Sequence, residues 1–495
     1  PKAWTSRPGL SISALEKPGQ LQVRATADCE PGVYWVRLYD SAGASEPRPL
    51  VVGNLPELND REPNDTWRAA QRLEPSAATI NGRLTPVGDC DVFAANVRAG
   101  QTLVAWLAAE RPLASPMDGV LQILDSAGIV VAENHDFSGL DPCVAAQAKA
   151  GGVYYVRLFA FPAKPSSAIQ LAGGDDFIYR LTVTSQDAVS YAFPLSISKS
   201  KRQAVELRGW NLSADRQTLS VESPADRETL AVFRPDVAGC ASVGVEACAT
   251  QVEQEPNSGE HFNALQLPVC VSGTIGKPGD EDTYSFAAEE GQTVDFRLES
   301  AGLGFPLDAT ISLADADGNL LATADDSDGR RDPELMYTSA LAGEYRLTIR
   351  DLAGHGGWRY AYRLRGGSAA PDFALRLGAA TWSTSAGSQL DIPLVIERRN
   401  SCEATIRLTV AGLPATAACQ AVESRPGESS SGTATLRISA GATPFAGPIQ
   451  IVGRAVGESA SVKTAQAEIE GFGVKTDQLW LTISKAAGAD AQAAK

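Results

Sequence analysis

Two stretches of this chain carry nearly the same residues in the same order. The first is Glu62-Pro63-Asn64-Asp65, which is followed by Gly88-Asp89-Cys90-Asp91. The second is Glu255-Pro256-Asn257-Ser258, which is followed by Gly279-Asp280-Glu281-Asp282. The copies are separated by 193 residues at the Glu-Pro-Asn motif and by 191 residues at the Gly-Asp motif. A separation this constant predicts a duplicated domain.

Further matches extend the duplication over about a hundred residues. Gly100-Gln101-Thr102 corresponds to Gly291-Gln292-Thr293, and Gly152-Val153-Tyr154 corresponds to Gly343-Glu344-Tyr345. Short alternating segments bounded by Gly, Asp and Asn surround these motifs, which is typical of β-strands and turns. A helix is predicted only as a short segment at residues 66–73, directly after the first motif.

The composition excludes several classes of protein. The chain has 495 residues, of which 44% are hydrophobic, so sizeable cores can form. The net charge of −16 argues against binding to nucleic acid or to anionic lipid, since both need a basic surface. No window of eighteen apolar residues is present, so no transmembrane helix is expected.

The duplicated unit resembles the bacterial pre-peptidase C-terminal domain, a jelly-roll β-sandwich. The resemblance rests on the motifs quoted above, on the turns Asp125-Ser126-Ala127-Gly128 and Asp315-Ala316-Asp317-Gly318, and on Asp332-Pro333-Glu334-Leu335. It covers roughly half of the chain. It implies a secreted accessory module that often follows a peptidase and sometimes binds calcium, collagen or polysaccharide. The alternation with immunoglobulin-like domains is also similar to large secreted or surface proteins of planctomycete-type bacteria.

We therefore predict an all-β chain of tandem β-sandwiches arranged as beads on a string, with jelly-roll and immunoglobulin-like domains in alternation. The predicted boundaries are 1–55 for a partial immunoglobulin-like domain, 56–185 for the first jelly roll, 186–250 for an immunoglobulin-like domain, 251–366 for the second jelly roll, 372–473 for a third immunoglobulin-like domain, and 474–495 for a C-terminal strand and tail. The Ala-rich end at residues 485–495 is expected to be disordered.

The resemblance implies a calcium site built from the acidic linker and the acidic turn of each copy. The implied ligands are Glu62, Asn64, Asp65, Asp89 and Asp91 in the first copy, and Glu255, Asn257, Asp280 and Asp282 in the second. The residue types agree with this, because Ca²⁺ takes six to eight oxygen ligands from carboxylates, amides and backbone carbonyls. Ser258 replaces the fourth linker residue in the second copy, which weakens that site. The alternative is that these Asp and Asn residues only form turns.

Two other acidic segments resemble calcium-binding loops in composition. The segment at residues 315–319 does not follow the EF-hand pattern, because Leu320 occupies the position that requires glycine, and it is predicted to be a hairpin turn. The segment at residues 325–329 also departs from the pattern. It is predicted to be a solvated loop, with a metal site as the alternative.

The eight cysteines are distributed along the whole chain, and none forms a Cys-x-x-Cys motif. An even number in an acidic, β-rich chain suggests disulfides and an oxidising compartment. The pairs that we predict are Cys240 with Cys248, Cys402 with Cys419, and Cys90 with Cys143. Cys29 and Cys270 remain, either as a further pair, as intermolecular partners or as buried thiols.

The sequence offers little for catalysis, since it lacks the motifs of serine hydrolases, zinc peptidases and nucleotide-binding enzymes. We predict a non-enzyme. Trp358 and Tyr360 lie in a Gly-rich segment and are candidates for stacking against a sugar, with ordinary packing as the alternative.

The two ends of the chain suggest self-assembly. The first domain is short of strands, and the strand at residues 478–484 has no evident domain of its own, so it could be donated to another copy and form filaments. The alternative is that it completes the third sandwich. The predicted function is a secreted or cell-surface structural or adhesive protein with calcium-stabilised domains. Its partners would be other copies of itself or matrix polymers. A polysaccharide-binding accessory protein of a secreted hydrolase system is the alternative.

Overall fold

The computed structural model describes residues 2–164, 170–223, 225, 227–327, 329–457 and 461–485. It confirms the all-β prediction. The end at residues 486–495, predicted to be disordered, lies outside the described residues. Within the described part of the chain, none of the helices combines the length and apolar composition that crossing a membrane requires. The chain divides into two compact units, one formed by Pro1–Val52 with Ala370–Lys495 and the other by Gly53–Ala369.

The N-terminal segment forms two small antiparallel sheets in the first unit. Its strands are β1 (Lys2–Thr5), β2 (Leu10–Ala14), β3 (Leu21–Ala25), β4 (Gly32–Tyr39) and β5 (Arg48–Val52). Strands β1, β4 and β5 form one sheet, and β2 with β3 forms a hairpin.

The second unit begins with the first duplicated domain, a sandwich of two five-stranded sheets. Its strands are β6 (Glu57–Asn59), β7 (Gln71–Arg72), β8 (Ala77–Arg83), β9 (Asp91–Val97), β10 (Thr102–Ala108), β11 (Met117–Leu124), β12 (Val130–Asn134), β13 (Cys143–Gln147), β14 (Gly152–Pro162) and β15 (Ile178–Thr184). The sheet orders are β13-β10-β15-β8-β6 and β12-β11-β14-β9-β7. Alternate residues of these strands meet in one core that includes Phe93, Leu121 and Val156. The helix predicted at residues 66–73 is a turn followed by β7, so that prediction is wrong.

A smaller sandwich of two three-stranded sheets follows. Its elements are β16 (Ala188–Phe193), β17 (Ser196–Ser198), β18 (Arg202–Trp210), α1 (Ala214–Gln217), β19 (Thr218–Glu222), β20 (Thr229–Val232) and β21 (Ala241–Glu246). The sheet orders are β16-β18-β19 and β17-β21-β20.

The second duplicated domain repeats the first strand for strand. Its strands are β22 (Ala249–Val252), β23 (Asn263–Ala264), β24 (Val269–Thr274), β25 (Glu281–Ala288), β26 (Thr293–Glu299), β27 (Ala309–Asp315), β28 (Leu320–Ala324), β29 (Glu334–Thr338), β30 (Gly343–Asp351) and β31 (Ala361–Ser368), with a 3-10 turn at Ala301–Leu303. The sheet orders, β22-β24-β31-β26-β29 and β23-β25-β30-β27-β28, are those of the first copy with each strand replaced by its counterpart. The two segments therefore share one topology.

The three sandwiches of the second unit are joined by aromatic and ionic contacts. Trp358 of the second duplicated domain stacks on Tyr191 of the small sandwich, with ring centroids 5.8 Å apart. The neighbouring Arg359 places its guanidinium 3.2 Å from the ring centroid of Phe137, in the first duplicated domain. On the opposite side of the small sandwich, Glu246 forms a 2.7 Å ion pair with Arg365. These domains thus contact one another directly, beyond their connection along the chain.

The C-terminal sandwich belongs to the first unit. Its strands are β32 (Asp372–Leu377), β33 (Thr381–Ser385), β34 (Gln389–Arg399), β35 (Thr405–Ala411), β36 (Ala418–Cys419), β37 (Val422–Ser424), β38 (Thr433–Ser439), β39 (Phe445–Val456), β40 (Val462–Thr464), β41 (Gln466–Ile469), β42 (Val474–Thr476) and β43 (Leu479–Ser484). The sheet orders are β36-β38-β34-β32-β41-β42 and β33-β43-β39-β35-β37.

The last strand, β43, lies inside this sandwich, so the hypothesis that it is donated to another copy is wrong. It pairs in parallel with β33 and antiparallel with β39. Both of its edges are therefore occupied within its own chain, and its first five side chains, from Leu479 to Ile483, are buried. The third sandwich thus extends to Ser484.

The N-terminal segment packs on this sandwich at β43. Trp480 is 1% exposed and contacts the rings of Trp4 and Tyr39, with centroids 5.9 and 4.7 Å away. Arg37 is completely buried and donates hydrogen bonds to the backbone carbonyls of Ala380 at 3.3 Å and Gln478 at 3.2 Å. The first and last segments of the chain thus pack directly on each other.

Candidate metal centre

Each duplicated domain begins with a linker that is held against the turn preceding its fourth strand. In the first copy the carbonyl of Asn64 accepts a 3.1 Å hydrogen bond from the amide of Val92, and Glu62 Oε2 accepts one of 2.9 Å from the amide of Asn64. In the second copy the carbonyl of Asn257 accepts from Thr283 at 2.7 Å, and Glu255 Oε2 accepts from Asn257 at 3.0 Å. The Glu-Pro-Asn motif is therefore placed identically in both copies.

These contacts bring the acidic residues of the first copy together. Carboxylate oxygens of Asp60, Glu62 and Asp91 lie within 4.8 Å of one another, and those of Glu62, Asp65 and Asp89 do the same. Glu62 belongs to both groups. The five sequence-predicted ligands of this copy consequently meet at one place, together with Asp60, which the sequence analysis did not single out.

The second copy forms a smaller cluster at the equivalent place. Carboxylate oxygens of Glu255, Asp280 and Asp282 lie within 4.8 Å of one another. Ser258 stands where Asp65 stands in the first copy, which removes one carboxylate. Asp280 is held by its Oδ2, which accepts a 2.8 Å hydrogen bond from the amide of Gly276, just as Asp89 Oδ2 accepts one of 2.6 Å from Thr85.

Several oxygens in both clusters are buried without a hydrogen-bond donor. Asn64 and Asp91 are both 0% exposed, and Oδ1 of each has no partner. Asn257 and Asp282 are also 0% exposed, and their Oδ1 atoms are likewise without a partner. Burying a polar atom without a partner costs about 1–3 kcal/mol. The same unpartnered oxygens recur at equivalent atoms of both copies, and in the second copy Nδ2 of Asn257 also has no partner.

Burial also changes the acidity of these groups. Burial, with a further contribution from the nearby carboxylates of Asp60 and Asp89, raises the pKa of Asp91 to about 8. Burial likewise raises the pKa of Asp60 to about 6, with Glu62 adding to the effect. In the second copy burial raises the pKa values of the neighbouring Asp282 and Glu253. Without a cation, these buried carboxyl groups therefore keep their protons to a higher pH than exposed carboxyl groups do.

A tyrosine from the last strand of each copy, β15 or β31, contacts the buried aspartate. Tyr179, which is 1% exposed, donates to Asp91 Oδ2, and Tyr362, which is 0% exposed, donates to Asp282 Oδ2. Each bond fixes one oxygen of the buried aspartate and leaves Oδ1 directed elsewhere. Tyr362 also shares a 2.6 Å hydrogen bond with Tyr284, which has no counterpart in the first copy because Phe93 stands there.

Sequence reasoning missed Asp60 and Glu253 as well as these two tyrosines. Asp60 lies two residues before Glu62, and Glu253 lies two residues before Glu255. The acidic character is thus shared, although the side-chain length differs, and a comparison of the linkers two residues further upstream would have found the pair. The tyrosines lie far along the chain, and only the fold brings them to the aspartates.

The donor set suits calcium better than a softer cation. The groups that converge are carboxylates and amide oxygens, with no His among the described members of either cluster. Such oxygen donors suit Ca²⁺, which accepts irregular coordination, whereas zinc prefers nitrogen and sulfur. Cys90 lies between Asp89 and Asp91, but burial raises the pKa of its thiol to about 12, which opposes thiolate coordination.

No disulfide is formed among the eight cysteines, so the three predicted pairs are absent. Cys240 and Cys248 flank the two ends of β21, a six-residue strand about 20 Å long, whereas bridged Cα atoms lie about 4.4–6.8 Å apart. Cys90 precedes β9 and Cys143 begins β13, and these strands belong to opposite sheets. Cys402 is buried, and its Sγ lies 3.9 Å from Nη1 of Arg398.

The other predicted sites lie elsewhere. Trp358 is 42% exposed but stacks on Tyr191 and meets Trp210 edge to face, so its ring is engaged in domain packing. Tyr360, two residues after Trp358, is half-buried.

The segment at residues 315–319 is the turn between β27 and β28, as predicted, with Asp315 Oδ1 accepting hydrogen bonds from the amides of residues 317 and 319. In the other acidic segment Asp328 lies outside the described residues.

No family model matches this chain, and no curated protein matches it. Among solved structures it is similar to the pre-peptidase C-terminal domain of collagenase from Bacillus anthracis, at 20% identity over 22% of this chain and 98% of that chain, with a TM-score of 0.18. It is also similar to a putative secreted protein from Eubacterium rectale, at 13% identity over 37% of this chain and 74% of that one, with a TM-score of 0.19. A third similarity is to the M60 catalytic domain with the CBM51-1 and CBM51-2 domains of ZmpB from Clostridium perfringens, at 11% identity over 73% of this chain and 52% of that one, with a TM-score of 0.15.

Proposed function

We propose that this protein is a non-catalytic extracellular protein whose two duplicated domains each bind calcium at the point where the chain enters the domain. The observation that carries the proposal is that each cluster holds two buried oxygens without a hydrogen-bond donor. They are Oδ1 of Asn64 and of Asp91 in the first copy, and Oδ1 of Asn257 and of Asp282 in the second. Each pair lies beside converging carboxylates. A bound Ca²⁺ would satisfy these oxygens and neutralise the charge that the clusters concentrate.

Calcium would stiffen the entry of each domain. Glu62 and Asn64 belong to the linker, whereas Asp89 and Asp91 belong to the turn and strand that follow β8. An ion held by both groups would tie these segments together across about 25 residues of chain. Metal that binds the folded state alone stabilises it in proportion to the logarithm of its concentration. A protein exposed to calcium-rich surroundings would therefore be most stable there.

The test is calcium titration by isothermal calorimetry, combined with thermal unfolding in calcium and in chelator. We expect binding at both clusters and a higher unfolding temperature in calcium. Asp91→Asn should remove the binding of the first cluster, and Asp282→Asn that of the second. The control is Asp175→Asn, because this carboxylate belongs to the first domain, is 91% exposed and lies outside both clusters. Unchanged binding in both cluster variants would refute the proposal.

The extracellular setting is part of the proposal. The strongly acidic composition and the oxygen-only clusters support it, because free calcium is abundant outside cells and scarce within them. The cysteines give it no support, since no disulfide is formed. Fractionation of the native host into culture medium, surface and cell interior tests it, and a protein confined to the interior would contradict it.

A further inference from the structure

The first duplicated domain carries an aromatic cleft on the outer face of one sheet. The cleft has a volume of about 410 Å³ and is lined by side chains of β7, β9 and β14 and of the turn before β7. Its aromatic walls are Trp67 and Tyr155, with ring centroids 5.7 Å apart in an edge-to-face arrangement. Arg68, Arg72 and Asn96 add polar groups, and Glu74 adds one carboxylate, so the charged lining carries two positive groups and one negative group. None of these residues belongs to the calcium clusters.

Tyr155 faces outward because of the alternation of β14. Tyr154, Val156 and Leu158 belong to the core, so Tyr155 and Phe159 point to the opposite face of the sheet. Phe161 continues the same row and is 39% exposed. Arg157 stands between Tyr155 and Phe159 in this row, and its guanidinium lies 6.0 Å from the ring centroid of Phe159. The outward face of β14 therefore combines aromatic rings with a basic group next to the cleft.

The Trp67 ring is held in place by a close contact. A Cβ atom added to Gly128 would lie 2.7 Å from Trp67 Nε1, so the ring rests directly on the turn between β11 and β12. Gly128 has a φ of +80°, which also favours glycine. The ring is therefore preorganised, which lowers the entropic cost of binding a ligand against it.

The second duplicated domain provides an internal comparison, because it does not repeat the pair formed by Trp67 and Tyr155. The strand pairing aligns the two copies: Leu158 lies opposite Asp91 in the first, and Ile349 lies opposite Asp282 in the second. Three residues before each of these positions stand Tyr155 and Arg346, so Arg346 occupies the position of Tyr155. At Gly318, the counterpart of Gly128, no heavy atom lies within 4 Å of where a Cβ would be. The shared fold thus does not require the aromatic cleft, and packing alone does not account for it.

The charges of the cleft point to an anionic ligand. The guanidinium of Arg68 lies 4.2 Å from the ring centroid of Trp67, a stacked position that leaves its N–H edge free for a carboxylate or sulfate. Neither Arg68 nor Arg72 takes part in an ion pair among the described residues, although the chain has a net charge of −16. Sugar rings stack their C–H faces on aromatic rings. We propose that this cleft binds an acidic polysaccharide.

Affinity measurements in chelator test the proposal independently of the calcium clusters. The probes are polygalacturonate for carboxylates, dextran sulfate for sulfates, and neutral dextran. We expect one or both anionic polymers to bind, and the stronger of the two identifies the acidic group. Neutral dextran should bind at least about tenfold more weakly. Equal binding of neutral dextran, or no binding of either anionic polymer, would overturn the proposal.

Variants separate the cleft from the general charge of the protein. Trp67→Ala, and Tyr155→Arg after the residue of the second domain, should each weaken binding by about tenfold. Arg68→Gln changes only an exposed side chain, so it tests the ligand contact even if the aromatic variants fold poorly. Its control is Arg202→Gln, which removes the same charge from an exposed site on the small sandwich. Equal effects of the two glutamine variants would refute a specific site.

Discussion

Replacing Asp91 by asparagine should stabilise the calcium-free protein and at the same time abolish calcium binding at the first cluster. Asp91 is 0% exposed and faces the carboxylates of Asp60 and Glu62. Asparagine has the same shape, and its carbonyl oxygen can still accept the hydrogen bond from Tyr179. Its amide can donate to the neighbouring carboxylates. The substitution therefore removes a buried charge without removing the packing.

The magnitude follows from the pKa of Asp91, which burial raises from its ordinary value of 3.8 to about 8. Between about pH 4 and pH 8 the folded chain keeps a proton that the unfolded chain has lost, so stability without calcium falls as pH rises through this window. Each factor of ten in proton affinity corresponds to about 1.4 kcal/mol, which gives a penalty on the order of 5 kcal/mol near pH 8. The asparagine variant does not carry this penalty.

The assay is thermal unfolding of the wild type and Asp91→Asn in chelator at pH 4.5, 6 and 7.5, repeated with calcium. Without calcium, the variant should gain stability over the wild type as pH rises, with little difference near pH 4.5. With calcium at pH 7.5 the difference in stability between the variant and the wild type should narrow or reverse, because only the wild type is stabilised by calcium bound at the first cluster. A variant that is less stable than the wild type in chelator at pH 7.5 would refute the reasoning.

Further predictions concern the calcium clusters and both compact units. Calcium binding should release protons between about pH 6 and pH 8, because a cation displaces the proton of Asp91, and calorimetry in buffers of different ionisation enthalpy measures this. Asp65→Ser, which copies the second cluster, should weaken calcium binding at the first cluster without abolishing it, and unchanged affinity in a calcium titration would contradict its role. Trp480→Ala should destabilise the first unit by about 3–5 kcal/mol, since a fully buried indole is lost, and scanning calorimetry should show only one transition shifted. Glu246→Gln should destabilise the second unit by about 1 kcal/mol, because Arg365 loses one of two carboxylate partners and keeps Glu299, and an unchanged transition would show that this ion pair is dispensable.

The sequence alone determined the features that depend on local pattern. Alternating apolar residues and frequent turn residues predicted an all-β chain, because the period of two is a property of the strand itself. The constant separation between Glu62 and Glu255 predicted the duplication, and the two copies do share one topology. The acidic residues next to these motifs predicted the two clusters, because their spacing within each short segment is fixed by the local backbone.

Only the tertiary structure decided the features that depend on which distant segments meet. The sequence offered two places for the last strand, and the burial of Trp480 against Trp4 and Tyr39 selected the sandwich of its own chain. Cysteine spacing predicted a disulfide between Cys240 and Cys248 that strand geometry forbids, because residues at opposite ends of one extended strand cannot approach each other. Tyr179 reaches Asp91 from 88 residues away. No local pattern records such a contact, because it results from the order of strands in two facing sheets.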